Sequence, residues 1–307
     1  DMCQDPITNT ATNKFQGGGG RGTIEIEGAG RHATRLIVDR LTMGTGSVFC
    51  FAANSGSYQF GGSVKNLYII SDTIDSQANW NAVYLYQPME FELEEVGFVL
   101  GEGVVGGSGS IGLFGPGVDP YTRLGKTPDE VYRHSGAGDF ALICLTLNNV
   151  LFQNFHTNIN LGAMNSSVWN NVRMEGAQAK FLDLRLCSVI INQLEMENWA
   201  AVSGSRDWCE FQDCGITINH VYVEQTPTGV TGSSVFKIGP SVTNGQVLSN
   251  GLTISNIAPS WHENGGAALV SASVAVVKLY DASFINTYGD KLIRGRFLYD
   301  LQIHGYS

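Results

Sequence analysis

The stretch Trp169-Asn170-Asn171-Val172-Arg173-Met174 holds the pattern that decides the fold: an apolar residue, two turn-formers, then apolar, any, apolar. The same order stands upstream in Val64-Lys65-Asn66-Leu67-Tyr68-Ile69, Leu93-Glu94-Glu95-Val96-Gly97-Phe98 and Leu147-Asn148-Asn149-Val150-Leu151-Phe152. Downstream it continues through Ile191-Asn192-Gln193-Leu194-Glu195-Met196 and Ile218-Asn219-His220-Val221-Tyr222-Val223. Shorter copies, Ile254-Ser255-Asn256-Ile257, Leu279-Tyr280-Asp281-Ala282 and Leu298-Tyr299-Asp300-Leu301, close the series.

The first apolar residue after each turn falls at 67, 96, 150, 172, 194, 221, 257, 282 and 301. Most intervals lie between about 19 and 36 residues, a period that belongs to stacked repeats burying apolar faces against their neighbours. The long interval from 96 to 150 reads as two turns, or as one turn carrying a large loop. Within each copy apolar residues alternate at period two, which is strand geometry and not helix geometry. The leucine-rich pattern is absent, and helical repeats fail on periodicity. The expectation is an all-β chain, a right-handed single-stranded parallel β-helix with almost no helix.

Composition agrees with that reading. Of 307 residues, 38 are Gly and only 8 are Pro, and 43% are hydrophobic. That supplies many tight turns and a continuous core rather than a disordered chain. The charge is −10, with 18 Lys and Arg scattered among 28 acids, so no basic face offers itself to a nucleic acid. No apolar run is long enough for a membrane-spanning helix. Six cysteines at irregular spacings read as small buried apolar residues, with a Cys209–Cys214 bridge as the alternative; no zinc spacing appears. No cofactor is expected.

The residue before the anchor is Asn66, Asn149, Asn171, Asn256, Asp281 or Asp300 in most copies. Asn and Asp tolerate left-handed backbone angles, and stacked Asn amides can bond to one another along the solenoid. These are structural expectations. Residues 1–19 read as a lead-in and 20–307 as the solenoid, with the irregular segment at about 101–139 projecting as a loop that carries function or a contact. Inside it, Gly101-Glu102-Gly103-Val104-Val105-Gly106 matches the spacing of a dinucleotide fingerprint, but no helix follows, and a plain loop is the better reading.

Strand alternation places chemistry on the outside. If the anchor and the residue two later point inward, Arg173 and Glu175, Glu195 and Glu197, Tyr222 and Glu224 point outward on successive turns. Glu175, Glu197 and Glu224 then form a row with neighbours ~4.8 Å apart, and crowded like charges raise at least one pKa, as a general acid requires. The next strand of each turn gives a second row, Asp183, Glu210 and Lys237. Trp199, Trp208 and Trp261 stand in or beside the adjoining loops, where flat rings suit sugar stacking. The plain alternative is solvated surface for the acids and loop packing for the tryptophans.

Strand pairs joined by an Asn-bearing turn, with the opening Gly22-Thr23-Ile24-Glu25-Ile26-Glu27-Gly28-Ala29-Gly30-Arg31-His32-Ala33-Thr34-Arg35-Leu36-Ile37, resemble the pectate-lyase-like superfamily, above all the tailspike depolymerases of tailed phages. The resemblance implies a polysaccharide depolymerase acting on bacterial capsule or O-antigen, as a homotrimer on a virion tail or as a secreted protein. It implies catalysis by two of Glu175, Glu197, Glu224, Asp183 and Glu210. A lyase of the same fold would lean on Arg173, Tyr222, Lys237 and His262; a non-catalytic receptor-binding spike is the reading from another class.

Overall fold

The computed structural model describes residues 24–38, 47–52, 59–71, 81–86, 88–100, 110–115, 142–198, 207–224, 234–239, 251–260, 268–273, 275–282, 291–296, 298 and 300–304. The lead-in 1–19, the greater part of 101–139, Trp199, Trp261 and His262 lie outside the described residues. Among those described there are twenty-one strands and no helix, and every strand pairing is parallel.

The pairings sort the strands into three stacks that the chain visits in rotation. The first stack takes Ser47–Ala52, Asn81–Tyr86, Ile111–Gly115, the openings of Thr157–Glu175 and Lys180–Ile191, then Asp207–Gln212, Ser234–Gly239, Ala268–Ser273 and Lys291–Arg296. The second holds Glu25–Glu27 at one end and Asp300–His304 at the other. The third runs from Arg35–Val38 through the ends of Gln59–Ser71, Pro88–Leu100, Thr146–Gln153 and Thr157–Glu175, then Leu194–Glu197 and Val221–Glu224, to the end of Gly251–Ser260 and Ala282. Each turn of chain buries its inner residues only against the turns above and below, which is the architecture of a β-solenoid.

The anchors do what their spacing predicts. Val150, Val172, Leu194 and Val221 stack in register and are fully buried, as are Phe152, Met174, Met196 and Val223 two residues later. Phe98 lies flat on Phe152 at 5.2 Å between ring centres, extending the column. Each side chain buried in this way stabilises the fold by roughly 1.5–3 kcal/mol.

The turn column behaves as Asn chemistry requires. Asn66, Asn149, Asn171 and Asn256 all adopt positive φ, between 50° and 56°. Asn171 Nδ2 donates to Asn149 Oδ1 at 2.5 Å, and Asn149 Nδ2 to Glu95 Oε1 at 2.5 Å. A second ladder stands one position earlier: Asn219 donates to Asn192, Asn192 to Asn170, and Asn170 to Asn148, at 2.7, 2.5 and 2.7 Å. Asn148 closes it on Glu92 at 3.1 Å.

Two expectations are corrected, and one alternative is set aside. Asp300 is not a turn residue: it opens the strand Asp300–His304, opposite Val276, so the ninth copy of the motif belongs to the second stack. Cys209 and Cys214 are free buried thiols, not a disulfide. The segment 101–139 is not one irregular loop, because Ile111–Gly115 is a first-stack strand lying between Asn81–Tyr86 and Thr157–Glu175. Its glycines disguise it. A Cβ on Gly112 would stand 2.5 Å from the Asn158 carbonyl oxygen and 2.6 Å from the Phe152 ring, so this Gly answers to packing rather than to a turn. The interval from 96 to 150 is therefore a single turn of chain.

Candidate functional site

The third stack carries a crowd of carboxyls with one guanidinium among them. Val172, Met174, Leu194, Met196, Val221 and Val223 turn inward, which leaves their neighbours facing out. Register pairs Arg173 with Glu195 and Glu195 with Tyr222 in one column, and Glu175 with Glu197 in the next. The strand Val221–Glu224 continues in the same register, setting Glu224 beside Glu197. The row of three glutamates expected from the sequence is present.

Arg173 holds the group together. Its Nη2 donates to Glu197 Oε2 at 2.8 Å, and its Nε lies 3.9 Å from Glu195 Oε1. Glu175 accepts a hydrogen bond from Asn198 Nδ2 at 3.2 Å, and Glu224 one from the Tyr222 hydroxyl at 3.1 Å. Glu197 is 8% exposed, a buried carboxylate that needs its guanidinium.

Four carboxyls around one guanidinium cannot all ionise freely. Burial, a hydrogen bond shared with Glu197, and the charges of Glu197 and Glu224 push the Glu195 carboxyl up to about 7, against the opposing pull of Arg173. Glu197 moves the other way: burial works against its charge, but the hydrogen bonds from Glu195 and Arg173 prevail and hold it below the usual carboxylate range. Glu195 keeps the proton and Glu197 keeps the charge. Two carboxyls whose surroundings separate their pKa values are the arrangement that assigns an acid and a base.

Glu195 was legible as outward-facing yet escaped nomination beside Glu197. The signal was in Leu194-Glu195-Met196-Glu197 itself, since two acids two residues apart on a strand share one face.

The second predicted row is also in register, Asp183 beside Glu210 and Glu210 beside Lys237. Its chemistry is different. Lys180 Nζ bridges Asp183 Oδ2, at 3.1 Å, and Glu210. Lys237 Nζ reaches Glu210 Oε1 at 3.1 Å and Asp207 Oδ2 at 3.3 Å, while Arg185 Nε stands 3.5 Å from Asp183 Oδ1. Burial works against the Glu210 charge, yet the Lys180 hydrogen bond and the two ammonium groups bring it down to about 2. A carboxyl so held has no proton to give near neutrality. Asp183 is itself buried, at 6% exposure, rather than open on a face.

Trp208 departs from its expected place. It is 2% exposed, belongs to the apolar core and packs on Phe181 at 5.3 Å between ring centres, so no sugar reaches its face. Among the described residues no group of three or more His, Cys, Asp or Glu is arranged to hold a metal ion. No family model, curated protein or solved structure matches the chain.

Proposed function

We propose that the chain is a right-handed single-stranded parallel β-helix whose third-stack face hydrolyses the glycosidic bonds of a polysaccharide, with Glu195 as general acid and Glu197 as its ionised partner. Right-handed winding is what parallel crossover connections overwhelmingly adopt. The observation that carries the activity is the Glu195–Glu197 pair, two adjacent carboxyls driven in opposite directions around Arg173. The two carboxyls share a hydrogen bond in the free chain, so a bound glycosidic bond and its attacking water must part them to the wider separation that inverting glycosidases use. The proton on Glu195 goes to the departing glycosidic oxygen; Glu197 accepts one from the attacking water. Glu175 and Glu224 flank the pair and supply acceptors for sugar hydroxyls. The polymer would be a bacterial surface polysaccharide, met outside the cell by a virion tail or a secreted protein.

A lyase is less well supported. It needs a free cation to neutralise a uronate, and Arg173 is engaged by Glu197 while Lys237 is engaged by Asp207 and Glu210. The test is to incubate the protein with a panel of capsules and O-antigens and size the products. Hydrolysis predicts shorter chains with new reducing ends and no unsaturated uronate absorbance. Glu195→Gln and Glu197→Gln should abolish shortening; binding that persists without any shortening by the wild-type chain would leave only a receptor-binding role.

A further inference from the structure

The second stack carries a face with no counterpart on the other two. Along its two central outward columns, which reach beyond to Glu25 and Glu27 and to Gln302 and His304, Glu92 and Glu94 bound one end of a strip and Lys278 and Tyr280 the other. Between those ends one column runs Thr146, Val168, Ile190, Thr217, Thr253, and the other is the Asn ladder with Ser255. Not one of these residues is charged, whereas the first and third stacks bear Asp183, Arg185, Glu210, Lys237, Arg173 and the four glutamates. At the centre, Val168 is 39% and Ile190 46% exposed.

The two ends of this face differ in charge: carboxylates predominate at Glu92 and Glu94, while at the other end Lys278 stands with Asp300 one strand beyond it. Lys65 serves Glu25, Glu92 and Glu94 together, three carboxylates to one ammonium, which leaves that end acidic. Lys278 has no carboxylate partner among the described residues. Ile190 sits midway, three strands from Glu92 and three from Lys278.

We infer that this face is a two-fold, antiparallel interface between two copies of the chain, centred on Ile190. An in-plane two-fold axis through Ile190 sets that residue against itself, Val168 against Thr217, Thr146 against Thr253, and Glu92 against Lys278. The Asn column meets itself in the same order, amide to amide. Parallel packing would instead bring the acidic ends together. Net charge −10 sets two copies against each other at long range, and an uncharged strip is where that repulsion is least. Six strand steps by the length of a four- or five-residue strand make a face about 30 Å by 15 Å, which, counted over both partners, lies near the ~1,000 Å² floor of specific interfaces. The pairing differs from the parallel trimer that the tailspike resemblance implies, and it does not depend on the chemistry of the third stack.

Sedimentation equilibrium of the whole chain at micromolar concentration should give a dimer, and Ile190→Asp a folded monomer with an unchanged circular dichroism spectrum. Facing sheets lie about 10 Å apart, beyond disulfide reach, so a short bismaleimide is the linker of choice. Ile190→Cys should cross-link to a covalent dimer well above the wild-type background, and Val168→Cys should do so only together with Thr217→Cys. A wild-type monomer or trimer, an Ile190→Asp dimer, or an Ile190→Cys chain that links no better than wild type each overturns the inference. Should Ile190→Asp fail to fold, Lys278→Glu decides: like charges at the rim should weaken the dimer at least ~10-fold, and an unchanged dissociation constant overturns it.

Discussion

The first and third stacks carry similar numbers of carboxylates on neighbouring strands, yet they reach opposite electrostatic ends. On the first, Asp183, Asp207 and Glu210 interleave with Lys180, Arg185 and Lys237. On the third, Glu175, Glu195 and Glu197 share Arg173, and Glu224 adds its charge beside Glu195. Interleaving gives each of these carboxylates a cation within ion-pair reach and drives Glu210 down to about 2; crowding leaves a surplus that a proton must relieve, and it settles on Glu195 near 7. What separates a structural ladder from a reactive pair is the count of cations between the acids, not the acids themselves.

The largest change would remove both faces at once. Val172, Leu194 and Val221 form one fully buried column beneath the third stack. Asp at any of them brings an unpaired charge into the apolar stack, and no folded, soluble protein should be recovered. A folded Val172→Asp chain would contradict the solenoid core.

The next two variants set the faces against each other. Glu197→Gln keeps the shape while removing the charge, so depolymerisation should fall by at least ~10²-fold, and the lost ion pair with the half-exposed Arg173 should cost about 1 kcal/mol of stability. Glu210→Gln should do the reverse. It deprives Lys180 and Lys237 of a shared partner in a mostly buried setting, which should cost about 1–3 kcal/mol in chemical denaturation and leave turnover intact. Equal losses of activity from both would erase the distinction. The Glu210 effect also has a pH signature. In the folded chain the carboxyl titrates at about 2 against an ordinary 4.5, so its stabilisation is complete above about 4.5 and fades as pH falls toward 2. Denaturation of Glu210→Gln over that window should show a flatter dependence than wild type.

Most of the scaffold could be read from the letters because a solenoid repeats its reasons. Alternation fixed which of Val172, Arg173, Met174 and Glu175 turn inward, and the Asn column announced its own left-handed turns. Reading failed where a residue's role depends on a neighbour distant in sequence. Gly112 marks a strand only because Phe152 and Asn158 press on it, and a Gly-rich stretch looks like loop until they are placed. Trp208 looks like a sugar platform until Phe181 covers it. The glutamate row was visible, but its chemistry was not. Arg173 selects Glu197 over Glu195 by about an ångström of geometry, 2.8 against 3.9 Å, and no spacing rule holds that information.

The smallest expected effects test that selection directly. Glu195 must carry its proton to act as the acid, so kcat/KM should fall on the alkaline side with a midpoint near pH 7. The same group stabilises the folded chain below about 4.5, and that contribution is lost as pH rises through 7, because the folded state holds the proton more tightly than the unfolded one. Arg173 pulls the Glu195 proton off, whereas the charge of Glu224 helps to keep it on. Arg173→Met should therefore move the alkaline limb to higher pH, and Glu224→Gln should move it to lower pH by a fraction of a unit. Glu224→Gln should also keep near-normal turnover at acid pH, where Glu195 is protonated in either protein. Profiles recorded side by side on one polymer give the answer. Limbs that stay together, or that shift in the same direction, would mean that the proton lost on the alkaline side is not the one on Glu195.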